Sequence, residues 1–143
     1  MKRYQFNKLI RSKLQDRMKK EGVIVNSTHL NHDQYIHQLK NKIIEEAKEV
    51  MEAKTLDNLI TELADVMEVI YAVAEVYKIN ILDIEAARVK KRDVNGYFTA
   101  NDYVNYIDVA LDNHQVIEYL ENKDRPYVNA ITIIQDNKEV EKI

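Results

Sequence analysis

The chain predicts a mainly α-helical bundle that other subunits complete, with a small α+β appendage at its carboxyl end. Three observations carry that expectation. Only two glycines and one proline occur in 143 residues, too few for a turn-dense all-β sandwich or a disordered tract, while 45% of residues are apolar, enough for a core. Apolar residues recur at helical spacing in successive segments, most of them opened by a start signal. From Leu59 to Tyr77, fourteen of nineteen residues are apolar. A helix apolar almost all round is a buried helix, and a single chain of this length offers few elements to surround it.

Each element has a local reason. Phe6, Leu9, Ile10, Leu14 and Met18 predict a helix over 6–20, with basic residues on its other face and Gly22 as its stop. Val23 to Thr28 is short and β-branched, and reads as a short strand or extended link. Asn31 with Gln34 forms a capping box that opens a helix to about Ala53. Along it Tyr35, Ile36, Leu39, Ile43, Ala47, Val50 and Met51 keep one apolar stripe. Thr55 or Asp57 starts the apolar helix that reaches Tyr77. Asn80 with Asp83 starts a fourth, which fades near Asp93 with Lys90, Lys91 and Arg92 in its last turn, where cations suit the helix dipole, before Gly96. Residues 1–98 then form the helical domain and 99–143 the appendage. In the latter, Tyr103 to Leu111 reads as a strand. Asp112 with Gln115 caps a short helix to about Asn122. Val128 to Ile134 reads as a strand, followed by a turn at Asp136-Asn137 and a last strand from Val140 to Ile143.

Composition removes several function classes. Cysteine is absent, so disulfide frameworks, Fe–S sites and thiol nucleophiles are out. No apolar run reaches the ~20 residues of a membrane span, and M-K-R-Y-Q-F-N-K lacks the apolar core of a signal peptide, so a soluble cytoplasmic protein is expected. Two glycines leave no room for a phosphate loop, a nucleophile elbow or a dinucleotide fingerprint. Charge is uneven: +6 over residues 1–21, −4 over 22–98 and −5 over 99–143. The net −3 speaks against a generic polycation, and no sequence-specific nucleic-acid partner is expected. The basic first segment is ordinarily a solvated helix face, but it is also able to meet phosphate.

The informative residues are acidic. On a helix, Glu45 and Glu49 lie about 40° apart, and the pairs Glu46/Glu49 and Glu62/Asp65 about 60° apart. The link between their two helices is a few residues, so the helices pack as an antiparallel hairpin and the acid pairs face each other. Glutamates on helices are usually solvated, and Lys42 and Lys48 are placed for ordinary surface pairs with the first group. Glu62 and Asp65 sit in the most apolar helix, where an isolated charge is costly. Protonation, a Lys or Arg partner, or a divalent cation would resolve that cost, and an all-oxygen donor set suits Mg²⁺ before zinc. A di-iron bundle needs Glu-x-x-His, and no glutamate has a histidine three residues later. His29, His32, His37 and His114 read as surface or capping residues.

E-E-A-K-E (Glu45 to Glu49), twelve residues, then E-L-A-D (Glu62 to Asp65) resembles the E-E-x-x-E and E-x-x-D motifs of the all-α nucleoside triphosphate pyrophosphohydrolases. That superfamily includes MazG-like proteins, dimeric dUTPases and phosphoribosyl-ATP pyrophosphohydrolase. F-N-K-L-I-R-S-K-L (Phe6 to Leu14) looks like the N-K-L-V-R-D-K-I opening of its phosphoribosyl-ATP pyrophosphohydrolase-like branch. K-K-R-D-V-N-G-Y-F (Lys90 to Phe98) is similar to the K-x-x-x-R-G-G-F ending of that branch. Ser12 stands where the opening has an acid, and Asn95 and Tyr97 replace the Arg and second Gly of the ending.

The resemblance implies a helical bundle assembled as a homodimer or homotetramer. It implies Mg²⁺-dependent (or Mn²⁺-dependent) hydrolysis of a nucleoside triphosphate to monophosphate and pyrophosphate, in nucleotide-pool cleaning. Glu46, Glu49, Glu62 and Asp65 are then the metal ligands, and Glu45 with Glu49 the catalytic acids, Glu45 orienting water or serving as a further ligand. Lys91, with Lys90 or Arg92, contacts phosphate. Arg11 and Lys13 are secondary choices, and Asn7 touches sugar or base. Two alternatives stand beside this: phosphoribosyl-ATP hydrolysis in histidine biosynthesis, and a non-catalytic nucleotide-binding or regulatory helical oligomer.

Overall fold

A computed structural model describes residues 1–122. Its described elements are helical: α1 Leu14–Lys20, α2 His32–Glu52, α3 Leu56–Val76, α4 Ile81–Asn95, a 3₁₀ turn Phe98–Ala100, and α5 His114–Glu121. The chain divides into a first compact unit, Met1–Tyr97, and a second that begins at Phe98. No helix among the described residues is long and apolar enough to cross a membrane.

The first unit is organised by α2 and α3, which make the one extensive helix–helix contact among the described elements. Both begin where side-chain chemistry dictates. Asn31 accepts from the Gln34 amide while the Gln34 side chain accepts from the Asn31 amide, a complete capping box that satisfies two donors a helix start leaves unpaired. The Thr55 hydroxyl accepts from the Asn58 amide to open α3. Only Ala53 to Thr55 separate the two helices, so α3 must fold straight back along α2. Lys40 on α2 lies over the ring of Tyr77 at the far end of α3, as an antiparallel pair requires. Leu39, Val69 and Ala74 are the buried apolar residues of this pair.

The remaining ends are also local. Gly22 sits at φ +80° after α1, where the Val23 amide bonds Met18 and the Gly22 amide bonds Lys19, a Schellman motif. Lys78, at φ +55°, closes α3 in the same way through Ile79 to Ala74 and Lys78 to Glu75. Asn80 caps α4 through the Leu82 amide, and Gly96 ends it.

Three expectations need correction. The first helix spans only 14–20, not 6–20. Residues ahead of it are irregular, with Asn7 at φ +45° and the apolar Leu9 and Ile10 half-buried without helical hydrogen bonding. Val23 to Thr28, read as a short strand or extended link, forms no strand. In the second unit, Tyr103 to Leu111 forms no strand, having no partner strand among the described residues. The cap of α5 is Asn113, accepting from Val116, rather than Asp112. The expected strands from Val128 to Ile134 and Val140 to Ile143, and the turn at Asp136-Asn137, lie outside the described residues.

Candidate active site

The acids of α2 and α3 meet across the hairpin. One carboxylate oxygen each from Glu46, Glu49 and Glu62 fall within 4.8 Å of one another. The two α2 acids are one turn apart, and the antiparallel return of α3 brings Glu62 opposite them. Glu46 is 4% exposed, whereas Glu49 and Glu62 are half-buried.

The electrostatics are those of crowded anions. Partial burial, then the charges of Glu49, Asp65 and Glu46, push the Glu62 carboxyl above the usual glutamate range. The Lys42 ammonium lies 2.7 Å from Glu46 Oε1 and 2.9 Å from Glu45 Oε1. Burial would lower the Lys42 pKa, but the hydrogen bonds and charges of Glu46 and Glu45 outweigh it and raise it. Burial would likewise raise Glu45, yet the hydrogen bonds from Lys8 and Lys42 hold its carboxyl below the usual range. Glu46 Oε2 is the exception: it is buried and has no hydrogen-bond partner. A buried carboxylate oxygen with no donor is expensive, and Glu46 also stands in a cluster with two more carboxylates.

That orphaned oxygen tests whether a divalent ion fits. The donors are oxygens alone, three convergent carboxylates with one unsatisfied lone-pair set, which is the chemistry of a hard cation. Glu46, Glu49 and Glu62 are the residues that would hold it.

The structure does not gather every expected residue. Asp65 is outside the three-carboxylate convergence and is ion-paired with Arg11, which also approaches Glu68 at 3.9 Å. Glu45 sits beside the cluster, its Oε1 shared by Lys8 and Lys42. Lys90 and Lys91 are exposed on α4, and no ion pair among the described residues ties them to the acids. Arg92 stacks over Tyr97 at 5.1 Å, with its Nε buried and unpartnered. Lys13 ends the irregular segment at the start of α1, and Asn7 is exposed. The four histidines are exposed and take no part. Sequence reasoning missed Lys8, whose Nζ lies 2.8 Å from Glu45 and 4.0 Å from Glu49. Its signal was available: it stands three residues before Arg11 in the one strongly basic segment of an acidic chain.

Comparison with known families gives one result. The model of the family described as phosphoribosyl-ATP pyrophosphohydrolase matches residues 4–92, which spans the irregular segment, the hairpin and most of α4. No curated protein and no solved structure gives a significant match.

Proposed function

Because the chain belongs to the phosphoribosyl-ATP pyrophosphohydrolase family, within the MazG-like all-α pyrophosphohydrolases, we propose that it cleaves the anhydride between the α- and β-phosphates of a nucleoside triphosphate. The products are the monophosphate and pyrophosphate. Mg²⁺ is the cofactor, with Mn²⁺ as a substitute. Members of the family are pyrophosphohydrolases acting on phosphoric anhydrides. One observation carries the reading: the convergence of Glu46, Glu49 and Glu62, of which Glu46 is buried with one oxygen unpartnered.

Glu46, Glu49 and Glu62 would hold the divalent ion, with Asp65, here paired with Arg11, as the fourth expected ligand. When bound, the ion neutralises phosphate charge and acidifies water. Glu45 stays ionised between two lysines and orients the attacking water through the oxygen that Lys8 and Lys42 leave open. Glu49 belongs to the three-carboxylate cluster and also acts with Glu45 as a catalytic acid. Lys90, Lys91 and Arg92, with Arg11 and Lys13, supply cations for the phosphates, and Asn7 a contact to sugar or base. The activity resides in residues 1–98, with 99–143 as an extension.

The apolar side chains of α3 left exposed on one chain, among them Ile60, Leu63, Met67 and Tyr71, support assembly into a homodimer or homotetramer. Light scattering tests that point. Phosphoribosyl-ATP is the second substrate reading, favoured by the family match itself. Asn95 and Tyr97 at the altered α4 ending favour the broader one.

A turnover screen decides. Canonical and modified triphosphates and phosphoribosyl-ATP are offered with Mg²⁺, and pyrophosphate and orthophosphate are read separately. Pyrophosphate release that Glu49→Gln abolishes supports the reading, and the substrate that turns over selects its form. No pyrophosphate from any of them, with Mg²⁺ and with Mn²⁺, overturns it.

A further inference from the structure

The irregular amino-terminal segment does something that its composition alone does not explain: it delivers one cation to each helix of the acid-bearing hairpin. Lys8 reaches Glu45 and Glu49 on α2, and Arg11 reaches Asp65 and Glu68 on α3. Lys8 is the better placed of the two. Its ammonium contacts Glu45 at 2.8 Å and stands 4.0 Å from Glu49, which is itself one of the three converging acids. It also lies over the ring of Phe6 at 5.4 Å, so its position is set from two sides.

Resting on the pyrophosphohydrolase reading above, we propose that Lys8 is a substrate-contacting residue: the phosphate-binding cation at the edge of the carboxylate cluster, presented there by Phe6 and Glu45. Four physical points carry this. An ammonium has three donors and no acceptor, and Glu45 takes one of them at short distance. Glu45 is also bonded by Lys42, so Lys8 is able to turn to a phosphate without stranding a bare carboxylate. Lys8 is 39% exposed on a non-helical segment, and its four-carbon stem lets the ammonium turn outward from the acids. An open depression along α2, about 430 Å³ and lined by residues that include Asn41, Glu45, Lys48 and Glu49, begins at the same two acids that Lys8 touches.

The acids explain why such a cation is needed. Six carboxylates face the hairpin's site region, and a polyphosphate entering it meets net repulsion that a single divalent ion does not fully cancel. In the resting chain Lys8 relieves repulsion among the acids. With substrate present, the same charge is better spent on phosphate oxygens, whose charge-assisted hydrogen bonds are short and strong. Among the described residues no ion pair ties the basic turn of α4 to these acids, whereas Lys8 already stands against them.

Calorimetry on the full chain tests the assignment with two probes, Mn²⁺ alone and α,β-methylene-ATP with Mg²⁺. Lys8→Met is expected to weaken analogue binding about tenfold, the size of one lost charge-assisted contact, while Mn²⁺ alone binds as before or more tightly because a competing cation is gone. Lys8→Arg keeps the charge and restores most of the analogue affinity. In turnover, Lys8→Met raises KM more than it lowers kcat. Analogue affinity unchanged within about twofold in Lys8→Met overturns the assignment. So does an equal loss of Mn²⁺ affinity, since Lys8 would then only buttress the acids. If the wild-type chain binds Mn²⁺ but no analogue and hydrolyses no triphosphate, the function itself falls and this role falls with it.

Discussion

Lys42 offers the sharpest test of how the acid cluster is built. Its ammonium sits 2.7 Å from a glutamate that is 4% exposed, so Lys42→Met leaves the Glu46 charge buried with no cation in contact. At that distance the gross attraction is about 6 kcal/mol at an effective dielectric of ~20. The measured loss must be smaller, because a carboxylate in distress takes up a proton. Protonating an ordinary glutamate at pH 7 costs about 3.7 kcal/mol, and at pH 5.5 about 1.6 kcal/mol, and these are ceilings on the penalty. Glu45 adds little to the loss, since Lys8 still serves it. Metal-free Lys42→Met should therefore lose about 2–3.5 kcal/mol at pH 7, at or below the low end of the roughly 3–5 kcal/mol for breaking a buried pair, and less than half of that at pH 5.5. For a unit of this size that is a drop of roughly 10–20 °C in Tm at pH 7. Thermal unfolding followed by circular dichroism, in chelator and at fixed protein concentration, reads both values. A drop below about 4 °C, or the same drop at both pH values, would refute the view of Glu46 as a buried, lysine-compensated anion.

Other outcomes follow from the same geometry. Adding Mg²⁺ should raise the Tm of the wild-type chain and chelator should reverse it, whereas Glu49→Gln and Glu62→Gln should both lose the response; a Mg²⁺-dependent Tm in both variants would sink the assignment of ligands. Without metal, Glu62→Gln should hold or raise stability by relieving repulsion from Glu49, Asp65 and Glu46, while Asp65→Asn should cost up to about 1 kcal/mol by removing the partner of Arg11, as urea midpoints will show. Asn31→Ala breaks the capping box of α2 and should cost about 1 kcal/mol in the same titration.

What was legible in the sequence was what short-range chemistry decides. Asn31, Thr55 and Asn80 start helices because a side-chain oxygen bonds an amide two or three residues away, and that is visible in the letters. The facing of Glu46 and Glu49 with Glu62 was legible because a short link and helical spacing leave little choice. The stretch from Phe6 to Ile10 was misread because its apolar spacing is helical, whereas in the fold Lys8 and Arg11 reach acids 37 and 54 residues away. No local pattern reports such distant partners. The same pairs explain why Asp65 stands with Arg11 and not with the other three acids. Lys42 was visible as an ordinary i,i+4 surface pair, but that its partner Glu46 is buried is a tertiary fact no local pattern reports.

Ala53, Lys54 and Thr55 touch none of the chemistry, yet they act as the gauge of the site. Because they set how far α3 slides along α2 before it locks, the spacing of Glu62 from Glu46 and Glu49 is a property of chain length and not of any residue in the bend. The bend should thus accept almost any letters that keep Thr55's capping oxygen, and no deletion or insertion. One residue gained inside α3 ahead of Glu62 would swing that carboxylate by about 100° around the helix and aim it away from its two counterparts. Along this hairpin, drift in spelling is cheap and drift in count is lethal to the site.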